Sequence, residues 1–432
     1  MNIPNNHLSA LAPSLRSGAL DLHQYLDALQ AVHDRLEPTI QALRPEPDRF
    51  KRLHAEADAL REKFADAAKR PPLFGIPVGV KDIIRADGFT VTAGSRLPSD
   101  CFAGAEASIV SRLRQAGALI LGITCCTEFA YYNPGPTRNP VNHGHTPGGS
   151  SSGSAAAVAA SYCPLALATQ TQGSVVRPAA FCGIIGYKAT FDRIPIAGVV
   201  PFSKSVDTLG FFVDDMASLG MAASVVVDEW QPETATGSFV FGVPEGPYLE
   251  CAEAAALAQF RDTCRCLAAA GHEIRPVPVM ADFAELRQRH VDLVGAEFAV
   301  LHRDWYSRYG HCYSSVTSEL YAYASGIEEG RIAICRESRR QLREHIHEAM
   351  ATNGLNAWLT PAAPGPAPAT LSKTGDPVMN LPWTHALLPV VTMPCGNDQG
   401  SGLPLGLQVV GKFGEDEALV AQCQAIAPIV SG

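Results

Sequence analysis

Between Thr146 and Lys188 the chain reads TPGGSSSGSAAAVAASYCPLALATQTQGSVVRPAAFCGIIGYK, and no other stretch constrains the fold as much. It opens on Gly148-Gly149-Ser150-Ser151-Ser152-Gly153-Ser154, where glycines reach backbone angles that other residues avoid and four serine hydroxyls fall within 150–154. Composition alone fits a flexible Gly/Ser linker equally well. The flanks argue against it, because Ala155–Ala160 is wholly apolar and must be packed, so the loop is held at both ends and serves to place hydroxyls. The pattern predicts a small-residue helix from Ala155 to Ala160, a short buried strand from Pro164 to Ala168, and a second loop from Gln170 to Pro178 carrying Ser174. Gly149, Ser151 and Gly153 also match G-x-S-x-G, a nucleophile elbow with Ser151 at its tip. That motif needs a strand directly before it, and Asn139–Pro147 contains two prolines, which disfavours the elbow.

Upstream, Leu20–Leu36 is periodic, with Leu22, Tyr25, Leu26, Leu29 and Val32 on one face, and Pro38 is expected to end or kink the helix. Arg52–Lys69 reads as a second, charged helix stopped by Pro71-Pro72. Leu73–Val80 then reads as a buried strand that delivers Lys81 to its end. By itself, such a lysine is a surface residue whose stem lies on apolar chain. A helix over Ala107–Ala116 and a strand over Gly117–Ile123 continue the alternation, which implies an α/β fold with a largely parallel, covered sheet. From about Val213 to Met350 the pattern is helical apart from strands at Ser238–Gly242 and His272–Val279. This region carries Trp305, Tyr306, Tyr309, Tyr313, Tyr321 and Tyr323, which read as packing in the first instance. Strands at Ala357–Pro361, Leu388–Cys395 and Leu403–Val410 close the fold late in the chain.

With 432 residues, 47% of them hydrophobic, and no low-complexity divider, the chain suits one large core with an inserted subdomain. A net charge of -9 offers no basic surface, and Arg336–Arg343 is interrupted by Glu337 and followed by Glu344, as on a solvated helix face; nucleic acid is excluded as a partner. The twelve cysteines include no C-x-x-C, and Cys163, Cys182 and Cys423 lie in apolar runs. Without a charged-then-apolar start, this favours reduced thiols and a cytoplasmic location. No apolar run reaches the ~18 residues of a membrane span. His345 and His347, two apart on a helix, point to different faces, and no metal or other cofactor is expected; His143 and His145 either border a pocket or stabilise a turn.

GGSSSGSAAA at 148–157, QGSVVRPA at 172–179, GIPVGVKD at 75–82 and GLPLGLQ at 402–408 together resemble the amidase signature family over nearly the whole chain after its N-terminal segment. The resemblance implies a mixed, largely parallel central sheet covered by helices on both faces. It also implies a single domain over 1–432, with a catalytic core at 70–212, a variable substrate funnel at 213–350 and a core-completing part at 351–432. It assigns Ser174 as nucleophile, Ser150 behind a cis peptide bond as relay, and Lys81 as base. A serine needs such a base, and no Ser-His-Asp arrangement is supported by the neighbouring motifs. Lys81 would act neutral, its pKa lowered by ~2 to 3, worth roughly 3 to 4 kcal/mol, through burial and neutral hydroxyl partners. The oxyanion would meet backbone N–H groups of Thr171, Gln172, Gly173 and Ser174. Gln170 stands where the family often has Asp and Gln172 where it often has Gly, which bears on loop geometry and substrate width.

Tyr131 and Tyr132 either line the acyl pocket or pack beneath a loop. Arg177, together with Thr127–Ala130 and Pro136–Pro140, is most similar to the malonamidase-type branch, whose substrates are short amides bearing a carboxylate; the alternative is a structural arginine bound to loop carbonyls. The expected partner is a small amide, with a homodimer left open. Hydrolysis of aryl amides, carbamates or urea-type compounds, and a non-catalytic binding relative, also stay open. An ammonia-delivering protein of the transamidase type is weakened by the lack of an evident helical extension after Val410.

Overall fold

The computed structural model describes residues 6–430. The strands are β1 (Pro77–Lys81), β2 (Leu119–Thr124), β3 (Leu165–Gln170), β4 (Ile185–Lys188), β5 (Thr208–Val213), β6 (Val240–Glu245), β7 (Glu273–Pro278), β8 (Ala357–Pro361), β9 (Val390–Asn397) and β10 (Pro404–Val410). They form one 10-stranded sheet in the order β2-β1-β3-β5-β4-β9-β10-β8-β6-β7. The mixed, helix-covered sheet is as expected, and its parallel pairs lie in the two wings: β2-β1-β3 at one side and β8-β6-β7 at the other. The pairs between β3 and β8 are all antiparallel, so the middle of the sheet is less parallel than the helix-strand alternation suggests. β4 and β5, which the apolar pattern does not announce as strands, fill the space between β3 and β9.

The parallel pairing of β1 with β3, Val78 opposite Leu165, decides where the site forms. It brings Lys81 and Gln170, at the carboxyl ends of adjacent strands, to the same edge of the sheet, where α/β proteins commonly place ligands. The serine loop feeds a helix, Ser152–Ala159, that begins three residues before its expected start and is buried on all sides through Val158. Its small residues let it sit close to the sheet. At Gly153 a side chain would strike the backbone of Ala42 and Cys125, so glycine is required there by close approach rather than by flexibility. Two of the loop hydroxyls hold this packing: Ser152 Oγ donates to Gly148 O at 2.7 Å and Ser154 Oγ to Leu167 O at 2.9 Å.

Elsewhere the boundaries shift by about a turn. After a helix at Leu8–Ser17, the amphipathic helix expected over Leu20–Leu36 occupies Leu22–Ile40, is capped by Asp21 and runs two residues past Pro38 before Gln41 ends it in a left-handed conformation. The charged helix occupies Arg49–Lys63, followed by a single turn at Ala67–Lys69. Ala254–Ala269, Phe283–Tyr309 and Glu329–Thr352 are the long helices of the variable region, with the shorter Ser315–Ala324 between the last two. Its aromatics pack against one another, with the Tyr306 and Tyr321 rings stacked at 3.9 Å and Trp305 edge-on to Phe102; none of them lines the cavity beside Ser174.

The expected absence of a helix after Val410 is corrected. Asp416–Val430 is helical and buries Leu419, Val420, Cys423, Ile426 and Val430. Its first residue, Asp416, is buried and accepts bonds from Tyr187 Oη at 2.6 Å and Thr190 N at 2.8 Å. A transamidase-type protein is therefore no longer disfavoured on that ground. All twelve cysteines are unpaired thiols. Among the described residues, no helix is long and apolar enough to cross a membrane.

Candidate active site

Lys81 is wholly buried at the end of β1, so the exposed-lysine alternative does not hold. Its Nζ donates to Ser150 Oγ at 2.7 Å and Thr169 Oγ1 at 2.8 Å. Burial pushes the Lys81 pKa down to about 8, against the opposing pull of Cys126 and Asp207. Both close partners are neutral hydroxyls, which solvate the ammonium without locking in its charge. Thr169 is not evident as a site residue in the sequence. A lone hydroxyl near the end of a buried strand, beside the lysine strand, is the available signal.

The Gly149–Ser150 peptide bond is cis. Ser150 and Ser174 open onto one small cavity of about 20 Å³, lined also by Tyr131, Tyr132, Thr171, Gln172 and Arg177. Ser151, the elbow candidate, does not line it; its Oγ points to Thr169 O at 3.3 Å. Gly173, between Gln172 and Ser174, has no side chain to line the cavity, and Asn380 and Pro377 pack against its Cα.

The loop between β3 and the Val176–Cys182 helix is braced from several directions. Gln170 Oε1 accepts from Val175 N at 2.8 Å and Val176 N at 3.0 Å, capping that helix as a carboxylate would. Gln170 Nε2 donates to Thr384 Oγ1 at 2.9 Å, a role that Asp cannot fill. Thr171 Oγ1 donates to Asp207 at 2.5 Å, while Asp207 also accepts from the N–H groups of Phe202 and Ser203. Burial raises the Asp207 carboxyl to about 6 despite these donors. The amides of Gln172, Gly173 and Ser174 find no acceptor among the described residues, which leaves them free to meet an oxyanion. The Gln172 side chain narrows the cavity and accepts from Tyr132 Oη at 2.7 Å.

Both tyrosines border the cavity and also pack, Tyr131 stacking on Phe202 at 5.7 Å. They follow Phe129 and Ala130, both in left-handed backbone conformations. Arg177 is 2% exposed. One nitrogen, Nη2, donates to Gly149 O at 2.7 Å, as a structural arginine would, whereas Nε and Nη1 have no partner. Beyond Tyr132 and Pro377 lies an outer cavity of about 590 Å³, with Lys373 and the Arg287–Asp376 ion pair, 2.9 Å, on its walls.

His143 is exposed and lies in a turn where Arg138 binds its carbonyl, and neither it nor His145 borders the cavity. A cluster of His7, Asp214 and Asp215 has no signature in the sequence; Asp215 caps the Met216–Val226 helix through Ser218 N, and His7 pairs with both carboxylates.

A buried lysine held near neutrality beside a serine is the equipment of serine–lysine acyl-transfer chemistry. The chain belongs to the amidase family, whose model, described as Amidase, matches residues 22–420. It is 29% identical over 423 residues to the A subunit of glutamyl-tRNA(Gln) amidotransferase from Synechococcus sp. (strain CC9311), covering 85% of this chain and 86% of that protein. An amidase crystal structure superposes with a TM-score of 0.89 at 27% identity, covering 98% of this chain and 100% of that one. The peptide amidase from Stenotrophomonas maltophilia gives 0.84 at 25% identity, covering 99% and 98%.

Proposed function

We propose that the protein is a serine amidohydrolase that cleaves short carboxamides bearing a free carboxylate, of the size and kind of malonamate. The observation that carries this reading is Arg177, a buried guanidinium with two unmatched nitrogens on the wall of the small cavity that Ser150 and Ser174 share. An unpaired buried charge is costly, and a planar carboxylate satisfies a guanidinium by two charge-assisted bonds. Ser174 Oγ attacks the amide carbonyl as its proton passes through Ser150 Oγ to Lys81 Nζ. The oxyanion is met by the amides of the 171–174 loop, and the proton returns through Ser150 to the leaving nitrogen. Water then releases the acid from Ser174 by the reverse relay. The reading takes a small amide as its partner, needs no cofactor, and suits a cytoplasmic enzyme.

Kinetics on malonamate against propionamide test it, in wild type and Arg177→Gln. The wild type should prefer the acid and the variant should lose that preference by ~10²-fold or more, the worth of a charged bidentate contact. Unchanged selectivity in the variant, or a wild type preferring bulky aryl amides, rejects the carboxylate assignment.

A second reading, delivery of ammonia to a partner, is favoured by the likeness to the amidotransferase relatives, and the Asp416–Val430 helix removes the objection to it. Free ammonia from simple amides with purified protein alone supports the hydrolase.

A further inference from the structure

A chain of buried polar groups runs under the 171–174 loop, through residues that line neither cavity. Thr171 O can only accept, so His290 Nε2, 3.0 Å away, carries the proton. Burial pushes the His290 pKa down to about 3 and that of His385 well below its ordinary value, so both rings are neutral. His290 Nδ1 is then an acceptor, and His385 Nδ1, 3.1 Å from it, donates. That leaves His385 Nε2 to accept from Ser338 Oγ at 2.6 Å. Each tautomer fixes the next, and the chain joins three elements: the Phe283–Tyr309 helix, the short Leu381–His385 helix and the Glu329–Thr352 helix.

The carbonyl end of this chain matters because a trans peptide unit points its C=O and N–H in opposite directions. Anchoring Thr171 O on His290 therefore turns the Gln172 N–H the other way. Thr384, next to His385, donates through Oγ1 to Gln172 O at 2.8 Å and so turns the Gly173 N–H in the same manner. These are two of the amides that lack an acceptor.

Resting on the hydrolase reading above, we propose that His290 and His385 are positioning residues that aim the oxyanion donors, with Thr171 O fixing their tautomers and Ser338 closing the chain. The helices of the variable region thereby act on the chemical step as well as on substrate width. A misaimed donor weakens binding of the tetrahedral oxyanion and leaves ground-state binding nearly untouched.

The test is steady-state kinetics of His290→Leu, His290→Gln and Ser338→Ala, with thermal melts. His290→Leu should lower kcat roughly 10²-fold, the scale of one lost oxyanion donor, with KM within about threefold. His290→Gln keeps an N–H for Thr171 O and should recover most of kcat; Ser338→Ala should lose less than His290→Leu. If His290→Leu does not fold, the contrast between Gln and wild type and the Ser338→Ala loss carry the test. Wild-type kcat in His290→Leu, or Gln no better than Leu, overturns the proposal. Independently of turnover, ¹⁵N-histidine NMR of the wild type should find the Nε2–H tautomer at His290 and Nδ1–H at His385, both uncharged at pH 5. The opposite tautomers overturn the chain even if the protein cleaves amides, while the expected tautomers in a protein that cleaves none reject the hydrolase reading alone.

Discussion

Lys81 Nζ stands 2.7 Å from Ser150 Oγ, and the two are 69 residues apart in the chain. The bond joins the end of β1 to the loop before the Ser152–Ala159 helix, and Ser150 shares its cavity with Ser174. In the proposed mechanism a proton leaving Ser174 passes through Ser150 to a base that is wholly buried. If the three act as a unit, their losses do not add. Lys81→Ala, Ser150→Ala and Ser174→Ala should each lower kcat by ~10³-fold or more, and Lys81→Ala/Ser150→Ala should be no worse than the worse single variant. A double variant far below both singles would break the relay. A fluorophosphonate should label Ser174, and label on Ser151 would restore the elbow.

The pH profile follows from the lysine. With its pKa lowered to about 8 by burial, Lys81 is neutral above that pH and protonated below it. kcat/KM should rise with pH through about 8 and hold on the alkaline side, far short of the free lysine value. A limb near pH 6.5 abolished by replacing one histidine would remove Lys81 from the role of base.

The same burial predicts a stability cost. The folded pKa lies below the unfolded value of 10.5, so between about 8 and 10.5 the unfolded chain holds more protons, and stability rises with pH across that window. Below pH 8 the cost is present in full, about 3 kcal/mol. Lys188, also wholly buried and pushed down to about 7, adds its own rise, so the comparison of wild type with Lys81→Met isolates Lys81. Denaturant melts should find Lys81→Met more stable at pH 7 by up to about 3 kcal/mol, the gap closing toward pH 10.5. A less stable variant, or a gap indifferent to pH, would show that the lysine is not strained by its site.

Much of this fold is legible wherever apolar runs end at Pro or Gly. β1, β2, β8 and β10 fall within a few residues of their expected places, because a buried strand must be apolar along its length and must stop where the chain turns. β4 and β5 are not legible as strands. They are short, and what makes them strands is pairing with each other and with β3 and β9, a non-local cause. The site divides in the same way. Ser150, Ser174 and Lys81 stand out through their motifs, whereas Thr169, Asp207, His290 and His385 have no local pattern. Each acquires its role from a partner between 36 and 119 residues away. The helix after Val410 is easily missed although Leu419, Val420, Cys423 and Ile426 follow helical spacing, since Pro428 interrupts the pattern.

Gly173 gives a test of loop geometry that changes no polar group. A Cβ there would meet Asn380 Oδ1 and lie 2.9 Å from Pro377 Cβ. Asn380 is not free to yield, because its Nδ2 donates to Ala362 O at 2.8 Å and Gln408 Oε1 at 3.1 Å. The loop must move instead, and with it the amides of Gln172, Gly173 and Ser174. Gly173→Ala should therefore lower kcat by ~10²-fold, about what losing one oxyanion donor costs, while Lys81 keeps its pH dependence because its contacts are to Ser150 and Thr169, outside that loop. Thermal melts should find the variant folded with an overpacking cost of ~1 to 3 kcal/mol. Full activity in Gly173→Ala would mean that the 171–174 amides do not hold the oxyanion, and the donors would have to be sought elsewhere around Ser174.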